Sequence, residues 1–471
     1  MSTIPLIIDG QDVVLPFHER QGTIINAYGQ DSVRYQGATK ELALRAARSS
    51  ARAFVAWSNI TPVERRSLLF KLAEALRNRA EEIKRVCDKE IHCGPLWAEI
   101  ITNDAVGLIE EYGALTTSVA TGSVPFIQNG HGLVLKEPLG VVLGIAPWNA
   151  PIILGLRAVV APIAAGNVAI LKGSELSPRT HYLLASLFRE AGFPPGVLNF
   201  LLHRPEDAPE IFDTLINHPA TKKCNFTGST QVGRIIASQA ALALKPVLLE
   251  LGGKNFTVVL DDADLDLAAQ EITKGAFLNN GQICMSTDIV LVTTAVAPAL
   301  EAKILAILRG INTISVLISP AARAKVERLI SDARDKGARI YTSPTTVKNV
   351  VSDQGFSPTV VTGLTPDMKL YEVESFGPVV GVMAVETEDH IMTIVKASKY
   401  GLSSSIISRN HYRALELAGS IKAGAVHINA MTVHDEPTLP HGGYGNSGWG
   451  RFGARWGLEE FVQTKVVTLH P

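Results

Sequence analysis

The pattern of apolar and polar positions predicts helices in the first third of the chain. A hairpin is predicted at 4–15, where Asp9-Gly10 forms the two-residue turn between two apolar runs. Helical periodicity follows over three segments, of which the second opens with a capping box: 39–57, 61 to about 86, and 96–115.

From residue 141 onward, apolar runs of strand length alternate with helical patterns. Strands near 141, 168 and 197 have the spacing of βαβ units, and the helix between the last two is delimited by Ser177 and Gly192. Further strands are predicted at 223–226, 247–250, 255–260, 289–293, 379–384 and 403–408, with a helix at 265–278. We therefore predict a parallel α/β protein with a second α/β unit and a ligand site in the cleft between them.

Composition excludes several classes of function. The chain has 471 residues, and Lys and Arg number 44 against 45 Asp and Glu. The net charge of -1 gives no attraction to nucleic acid or to an anionic membrane, so we expect neither partner. Charged residues make up 19% and apolar residues 46%, which favours extensive burial or contacts between subunits. A homo-oligomer is expected.

Cysteine usage and the N-terminus bear on the compartment. The four cysteines show no pairing typical of disulfides or metal ligands, so we expect no metal and a reducing environment. The N-terminus lacks a basic segment followed by a long apolar run, so no export signal is expected. The longest uncharged run, 138–156, contains two prolines near its centre and does not suit a membrane span. A cytoplasmic protein is predicted.

Two strand ends suit a nucleotide. In 224–233 a short strand meets Thr227-Gly228-Ser229-Thr230 and then a helical pattern, so the backbone N–H groups there can bind a pyrophosphate. An ordinary capped turn is the alternative. Lys172 and Glu175 follow the strand near 168, where a carboxylate can hold a ribose diol, with a solvated loop pair as the simpler interpretation. A formal G-x-G-x-x-G at 443–448 is rejected because no βαβ unit follows it.

Cys284 and Glu250 form a candidate catalytic pair. Cys284 lies in a polar loop between a helical pattern and a strand, although lone cysteines are more often small core residues. Glu250 ends an apolar strand before two glycines, where a buried carboxylate is a candidate general base. A papain-like cysteine hydrolase is a competing class, but none of the 12 histidines has a diagnostic neighbourhood.

Six motifs together resemble the NAD(P)-dependent aldehyde dehydrogenase family in order and spacing over nearly the whole chain. They are Pro147-Trp148-Asn149, Lys172-Gly173-Ser174-Glu175, Phe226-Thr227-Gly228-Ser229-Thr230, Glu250-Leu251-Gly252-Gly253-Lys254, Gly281-Gln282-Ile283-Cys284 and Glu374-Ser375-Phe376-Gly377-Pro378. Asn225-Phe226 and 434–437 are similar to the salicylaldehyde and vanillin dehydrogenase branch. The resemblance implies an α/β aldehyde dehydrogenase fold with a modified Rossmann cofactor domain, an α/β catalytic domain and a small β oligomerisation arm.

The resemblance also implies how the chain divides. The NAD-binding domain would be 1–118 and 139–247, the catalytic domain 248–427, and the arm with its return segment 119–138 and 428–471. Alternation over 461–469 suits a strand in that arm. A homodimer or homotetramer is expected.

The resemblance assigns roles residue by residue. Cys284 would attack the aldehyde carbon to form a thiohemiacetal and then a thioester, with Asn149 and the Cys284 N–H holding the oxyanion. Glu250 would activate the hydrolytic water. NAD is expected rather than NADP because Glu175 would repel a 2′-phosphate. Cofactor contacts are expected from Trp148, Lys172, Glu175, Gly228, Ser229, Glu374 and Phe376.

An aromatic, hydroxybenzaldehyde-like substrate is expected. Arg157, a charge inside an apolar helix, is predicted to line the substrate tunnel with Trp97 and Trp148, and a structural ion pair is an equal alternative. An aliphatic aldehyde or semialdehyde, CoA acylation, and a non-catalytic homologue remain as other possibilities. The presence of Asn149 and Glu250 beside Cys284 in the motifs argues against the last.

Three departures from the family pattern concern the pocket and the catalytic domain. Lys172-Gly173 replaces lysine-proline, which makes that loop more flexible. Residues 440–445 read Pro-His-Gly-Gly-Tyr-Gly in place of Pro-Phe-Gly-Gly-x-Lys, so an aromatic ring and a lysine are lost near the expected substrate entrance. The chain is several residues shorter than the family pattern between Arg309 and Ile318, where altered packing is expected.

Overall fold

The computed structural model describes residues 3–16, 19–25, 32–119, 121–344 and 352–471. Its helices are α1 Lys40–Trp57, α2 Pro62–Asn78, α3 Ala80–Ile91, α4 Gly94–Val119, α5 Pro151–Ala164, α6 Pro178–Glu190, α7 Ala208–Ile216, α8 Thr230–Leu242, α9 Leu265–Phe277, α10 Ala297–Gly310, α11 Pro320–Asp335, α12 Lys369–Glu372, α13 Glu388–Ala397, α14 His411–Ser420 and α15 Ala454–Glu459. Short 3₁₀ helices span Pro205–Asp207 and Leu278–Gly281.

The strands occur as hairpins near the N-terminus and in α/β alternation from residue 141. They are β1 Leu6–Ile8, β2 Gln11–Val13, β3 Gln21–Ile25, β4 Ser32–Gln36, β5 His131–Pro138, β6 Val141–Ile145, β7 Val168–Lys172, β8 Leu198–Leu201, β9 Thr221–Gly228, β10 Val247–Leu251, β11 Asn255–Val259, β12 Thr287–Thr293, β13 Ser315–Val316, β14 Arg339–Thr342, β15 Gly355–Phe356, β16 Thr359–Thr362, β17 Val379–Val385, β18 Tyr400–Gly401, β19 Ser403–Ile407, β20 Ala425–Ile428, β21 Tyr444–Gly445, β22 Gly448–Trp449 and β23 Val462–Leu469.

The first large sheet has the order β2-β1-β8-β7-β6-β9-β10-β22. The run from β8 to β10 is parallel, whereas β1, β2 and β22 join antiparallel. The chain proceeds outward from β6 to β8 on one side and from β9 to β10 on the other, so the strand order reverses between β6 and β9. Open α/β sheets bind ligands at the carboxyl ends of strands beside such a switch point. The hairpin predicted at 4–15 is confirmed as β1 and β2.

The second large sheet has the order β14-β16-β17-β12-β11-β19-β20, and all of its pairs are parallel except β14 with β16. Its central strand β12 is buried on both faces. Ile289 and Leu291 point into one apolar cluster, and Val290 and Val292 point into the other. Burial on both faces explains the continuous apolar runs in these strands.

The chain crosses between the two sheets at 252–254, directly after β10 and before β11. The boundary predicted at residue 248 therefore falls inside β10, which belongs to the first sheet. The assignment of the two units to cofactor binding and to catalysis stays a prediction. Within the described ranges, no helix is long and apolar enough to cross a membrane.

An antiparallel ribbon of β5 and β23 stands apart from both sheets. Its register runs from Val462 opposite Pro138 to Leu469 opposite His131, which confirms the strand predicted at 461–469. Val466 on this ribbon and Phe126 just before it are exposed. An oligomerisation role for this arm stays a prediction, and Ala120 of its first segment lies outside the described residues.

The prediction of a single helix over 61–86 is wrong in one respect, because the helix is interrupted at Arg79. Its beginning is confirmed: Thr61 and Glu64 form the capping box at the start of α2. At Arg79 the backbone leaves helical geometry (φ -109, ψ 9) and its N–H is shared between two carbonyls, and α3 then continues to Ile91. The Arg79 guanidinium forms ion pairs with Glu82 and with Glu190 of α6.

Candidate active site

Glu250 lies near the end of β10, opposite Thr227 of β9 and Gly448 of β22. Its side chain is 1% exposed, and neither carboxylate oxygen has a hydrogen-bond partner among the described residues. An unpaired buried carboxylate is costly in free energy. Such a group in a cleft between two sheets is a candidate for chemistry rather than for stability.

The loop that carries Cys284 has an unusual backbone. Asn279, Asn280 and Gly281 follow one another in the left-handed region, with φ of 48, 57 and 69. Gly281 has no room for a side chain, because a Cβ there would lie 2.2 Å from the carbonyl oxygen of Gly377. Left-handed non-glycine residues cost free energy and are retained where the surrounding structure holds them, often at functional sites.

Side chains of this loop bind segments on either side. The Asn279 amide donates to the carbonyl of Asn149 (2.9 Å). The backbone N–H groups of Val316 and Ile318 donate to Asn280 and Gln282 side chains, at 3.3 and 2.9 Å. The segment that the sequence predicts to be shortened, 309–318, thus contacts the Cys284 loop directly.

Asn255, the first residue of β11, holds the other end of the loop. Its Nδ2 donates to the carbonyls of Cys284 and Ser286, both at 2.9 Å, and its Oδ1 accepts from the N–H of Ser403 (3.2 Å). A Cβ at Gly253 would lie 2.8 Å from the Cys284 carbonyl oxygen, which explains the glycine there. Sequence reasoning missed Asn255. The available signal was a polar residue at the head of an otherwise buried strand.

Asn149 lies in the loop between β6 and α5 and contacts the loop that carries Cys284. Its Nδ2 donates to the carbonyl of Gln282 (3.0 Å), and its own carbonyl accepts from the Trp97 indole N–H (3.0 Å). One of the two N–H groups of the Asn149 side-chain amide is therefore occupied by the hydrogen bond to Gln282. The same bond fixes the direction of the other N–H group. The backbone N–H of Cys284 has no acceptor in the described part of the chain. Two donors are thus available for an oxygen atom placed beside the thiol.

Electrostatics in this pocket act against the Cys284 thiolate. Burial and then the negative charge of Glu250 raise the pKa of the Cys284 thiol well above its ordinary value, and Arg157 opposes this rise. Because the thiolate is the attacking form, the Cys284 thiol has to lose its proton as it attacks. Cys284 and Glu250 are thus brought together in one site, as the motifs predict.

Arg157 and Trp97, predicted as substrate residues, have protein partners for some of their polar groups. The Arg157 Nη2 forms an ion pair with Asp435, and the guanidinium lies 5.9 Å from the centre of the Phe452 ring. The Arg157 Nε has no hydrogen-bond partner among the described residues. Asp435 is thus the partner that the ion-pair interpretation of Arg157 requires. Contacts of Arg157 and Trp97 with the substrate stay predictions.

Comparison with known proteins decides the family. The model of the aldehyde dehydrogenase family matches residues 18–467. The chain belongs to the aldehyde dehydrogenase family. It is 39% identical over 482 residues to a vanillin dehydrogenase of Pseudomonas fluorescens, covering 100% of this chain and 98% of that protein. The resemblance stated from the motifs is thus confirmed, and the chain is an oxidoreductase that acts on aldehydes.

Solved structures of the family agree with the fold. A salicylaldehyde dehydrogenase from Pseudomonas putida G7, crystallised with salicylaldehyde, matches with a TM-score of 0.95 at 34% identity over 99% of this chain and 98% of that chain. A betaine aldehyde dehydrogenase from Staphylococcus aureus in complex with NAD⁺ matches with a TM-score of 0.92 at 28% identity, over 99% and 94% of the two chains. The α/β aldehyde dehydrogenase fold is confirmed, and the family uses NAD(P).

The strand ends beside the switch point suit the adenosine part of such a cofactor. A cavity of about 300 Å³ has mostly apolar walls, which include Ile145 of β6 and Phe226 of β9, and Lys172 lies at its edge. The Nζ of Lys172 is 3.9 Å from a carboxylate oxygen of Glu175, beyond direct hydrogen-bond distance. An apolar slot with adjacent polar groups fits an adenine ring and its ribose.

The remaining predicted cofactor residues follow along the same cleft. Gly228 and Ser229 precede α8, whose first turn has free N–H groups suited to a pyrophosphate, and Ser229 caps the helix. A second cavity of about 460 Å³ includes Ser229 and Glu374. The N–H of Gly253 donates to Glu374 (3.1 Å).

Glu374 lines that second cavity, and Phe376 follows it closely in the chain. Burial, followed by the negative charge of Asp288, raises the pKa of Glu374 to about 7. Phe376 has a left-handed backbone (φ 51), and its ring meets that of Trp148 edge-on at 5.7 Å between centres. The residues present therefore fit a dinucleotide that extends from Lys172 toward Cys284.

Proposed function

We propose that this chain oxidises aromatic aldehydes of the hydroxybenzaldehyde type to carboxylates with NAD, through covalent chemistry at Cys284. The observation that carries the proposal is the meeting of Cys284, an unpaired buried Glu250 and two free N–H donors in one cleft. This combination has a nucleophile, a base and an oxyanion site. It suits acyl transfer through a thioester.

Attack on the aldehyde uses Cys284 and the donors around it. The sulfur forms a bond to the carbonyl carbon as the thiol proton passes to water, and the electron pair of the C=O bond moves to oxygen. The second N–H of the Asn149 amide and the backbone N–H of Cys284 would stabilise that oxyanion. Because Asn149 is already held by Gln282, its second N–H needs no reorganisation as charge develops.

NAD, held by the residues along the cleft, would supply the hydride acceptor that converts the Cys284 adduct to a thioester. Glu250 then takes a proton from a water molecule, whose oxygen attacks the thioester carbon. The C–S bond then breaks, and the leaving sulfur takes the proton of the new carboxylic acid, which releases the carboxylate and restores the Cys284 thiol. General-base help of this kind contributes about 10²- to 10⁴-fold to a rate.

Support for an aromatic substrate comes from relatives and from the chain itself. Vanillin and salicylaldehyde dehydrogenases are among its similar proteins. Trp97 and Trp148 flank Asn149 in this cleft, and rings of this size bind a planar substrate through apolar contact. The unpaired Arg157 Nε–H is a donor suited to an oxygen substituent on the ring.

We also propose NAD over NADP and an oligomer in a reducing compartment. Glu175 beside Lys172 would hold the ribose hydroxyls and repel a 2′-phosphate. The β5–β23 ribbon would bind a second copy to give a homodimer or homotetramer, since its apolar side chains are exposed. All four cysteines are free, which suits the cytoplasm.

A panel of aldehydes, followed by NADH absorbance, tests the function. Salicylaldehyde, vanillin and benzaldehyde are expected to give higher kcat/KM with NAD than acetaldehyde or a charged semialdehyde. The Cys284→Ala variant should bind NAD but make no NADH, and Cys224→Ala, which alters a buried cysteine outside the cleft, is the matched control. Preference for a semialdehyde, or acyl-CoA formation with added CoA, would favour the other candidates.

A further inference from the structure

His441 lies between two carboxylates. Its Nε2 is 3.8 Å from Oε1 of Glu250, and its Nδ1 is 3.6 Å from Oδ2 of Asp435. The side chain is 8% exposed. Its backbone is held by reciprocal hydrogen bonds with Phe452, both at 2.8 Å. The imidazole therefore lies between Glu250 and Asp435, and Asp435 in turn pairs with Arg157.

Several charged groups surround His441. Glu250 approaches it from β10, and Asp435 approaches from the loop after β20. Arg157 of α5 pairs with Asp435 and, despite the opposing effect of burial, holds the Asp435 pKa below its usual range. Asp104 of α4 lies further out, where burial and then Asp435 raise its pKa to about 6. The group around His441 therefore contains three carboxylates and one arginine. The Cys284 thiol and the phenol of Tyr112 are the next titratable groups.

Glu250 needs an acceptor for the proton that it takes from water in each cycle. Both of its oxygens lack a hydrogen-bond partner in the described part of the chain, and it is almost fully buried, so it cannot release that proton directly to solvent. His441 is within 4 Å of it. The His441 Nε2 is also without a hydrogen-bond partner among these residues, so the two unpaired groups face each other.

We propose that His441 is a positioning residue that accepts the proton from Glu250 after thioester hydrolysis and releases it to solvent at Asp435. This inference rests on the proposed base role of Glu250. Water gives a proton to Glu250, Glu250 Oε1 passes it to the unprotonated Nε2 of His441, and the Nδ1 proton leaves to water beside Asp435, whose side chain is 18% exposed. A flip of the imidazole ring then turns the unprotonated nitrogen back toward Glu250 for the next cycle. Glu250 returns to its carboxylate form, and one proton is released per hydrolysis.

Both separations are longer than direct hydrogen bonds. A rotation of the Glu250 side chain or one bridging water closes them, and catalytic contacts often tighten only in the substrate complex. His441 stands where the family pattern has phenylalanine, and Gly445 stands where it has lysine. The relay is therefore a property of this chain rather than of the whole family.

His441→Gln and His441→Phe test the relay, because both remove the titrating ring, and the second also restores the family residue. His218→Gln is the matched control, since His218 lies at the far, amino end of β9. Rapid mixing with NAD and benzaldehyde should show a first turnover of NADH near the wild-type rate. Steady-state kcat should fall about 10-fold or more, with a larger solvent deuterium effect and a changed pH profile.

The outcomes separate this inference from the function on which it rests. The relay alone would be overturned if both His441 variants kept the wild-type steady-state kcat, isotope effect and pH profile while Glu250→Gln stalled. The relay would also be overturned if the His441 variants slowed the first and the later turnovers equally and lowered the melting temperature. His441 would then be a packing residue. Undiminished steady turnover by Glu250→Gln, or no NADH from the wild type, would instead contradict the proposed function.

Discussion

The side-chain amide of Asn149 donates a hydrogen bond of 3.0 Å to the carbonyl of Gln282, 133 residues further along the chain. This contact joins the loop after β6 in the first sheet to the Cys284 loop that precedes β12 in the second. The proposed oxyanion donor and the proposed nucleophile are therefore held in one geometry. Any change at Asn149 acts on both charge stabilisation and loop position.

Asn149→Ala should lower kcat strongly while leaving NAD binding intact. Loss of one oxyanion donor typically costs about 10²- to 10³-fold in kcat. The control is Trp97→Phe, which removes only the indole N–H bonded to the Asn149 carbonyl and should cost much less. Steady-state kinetics and NAD titration by fluorescence measure both. Equal kcat for Asn149→Ala and the wild type would exclude Asn149 from oxyanion stabilisation.

Glu250→Gln should make at most one NADH per active site and then stall. The first hydride transfer does not need the base, but hydrolysis of the thioester does. Glu374→Gln is the matched control, because it alters another buried carboxylate of the cleft and should raise the KM for NAD without stalling. Stopped-flow absorbance resolves the first turnover. Multiple rapid turnovers by Glu250→Gln would point to a different base.

The sequence correctly predicted those structural elements that are determined by residues close together in the chain. The capping box at Thr61 and the turn at Asp9-Gly10 involve partners within three or four positions, and both are confirmed. The break at Arg79 was missed, because one of its ion-pair partners, Glu190, lies 111 residues away. Periodicity within the helix contains no information about that partner.

In the candidate site, too, the sequence predicted some residues and missed contacts that come from distant parts of the chain. Motif order was enough to single out Cys284 and Glu250, but not the contacts that hold them. Asn255 binds the Cys284 carbonyl from the start of another strand, and His441 faces Glu250 from a loop near the C-terminus. The loss of an aromatic ring at His441 was visible in the sequence. Its position between two carboxylates required the packing of both sheets.

Glu175→Gln should reduce the preference for NAD over NADP. The carboxylate would repel a 2′-phosphate, so its neutral isostere should raise kcat/KM with NADP more than it lowers that with NAD. Glu190→Gln, on the outer end of α6, is a control that should leave the ratio unchanged. Initial rates with both cofactors give the ratio. A wild-type ratio that already favours NADP would refute this prediction.

Glu90 should make the protein less stable as pH rises from about 5 to about 7. Burial raises its pKa to about 7 from an ordinary 4.5, although Thr180 hydrogen bonds oppose the shift. In that window the folded protein holds a proton that the unfolded chain has lost, so unfolding becomes easier with rising pH, by up to about 3 kcal/mol. Urea unfolding of Glu90→Gln should show a smaller decline than the wild type. An identical decline would assign the effect to other groups.

Arg157→Leu should change substrate preference if the guanidinium binds the ring substituent. The Arg157 Nη2 is committed to Asp435, but its Nε–H has no partner among the described residues and can donate to a hydroxyl or phenolate oxygen. A hydrogen bond from a charged donor is worth about 1.5–3 kcal/mol, so the kcat/KM ratio of salicylaldehyde to benzaldehyde should fall about 10-fold or more. That ratio is an internal control, because any loss of folded enzyme affects both substrates equally. Asp435→Asn disturbs the same pair without removing the guanidinium and should leave the ratio closer to the wild-type value. If Arg157→Leu lowers the melting temperature and leaves the ratio unchanged, Arg157 is a structural member of its ion pair and the ring substituent is recognised elsewhere.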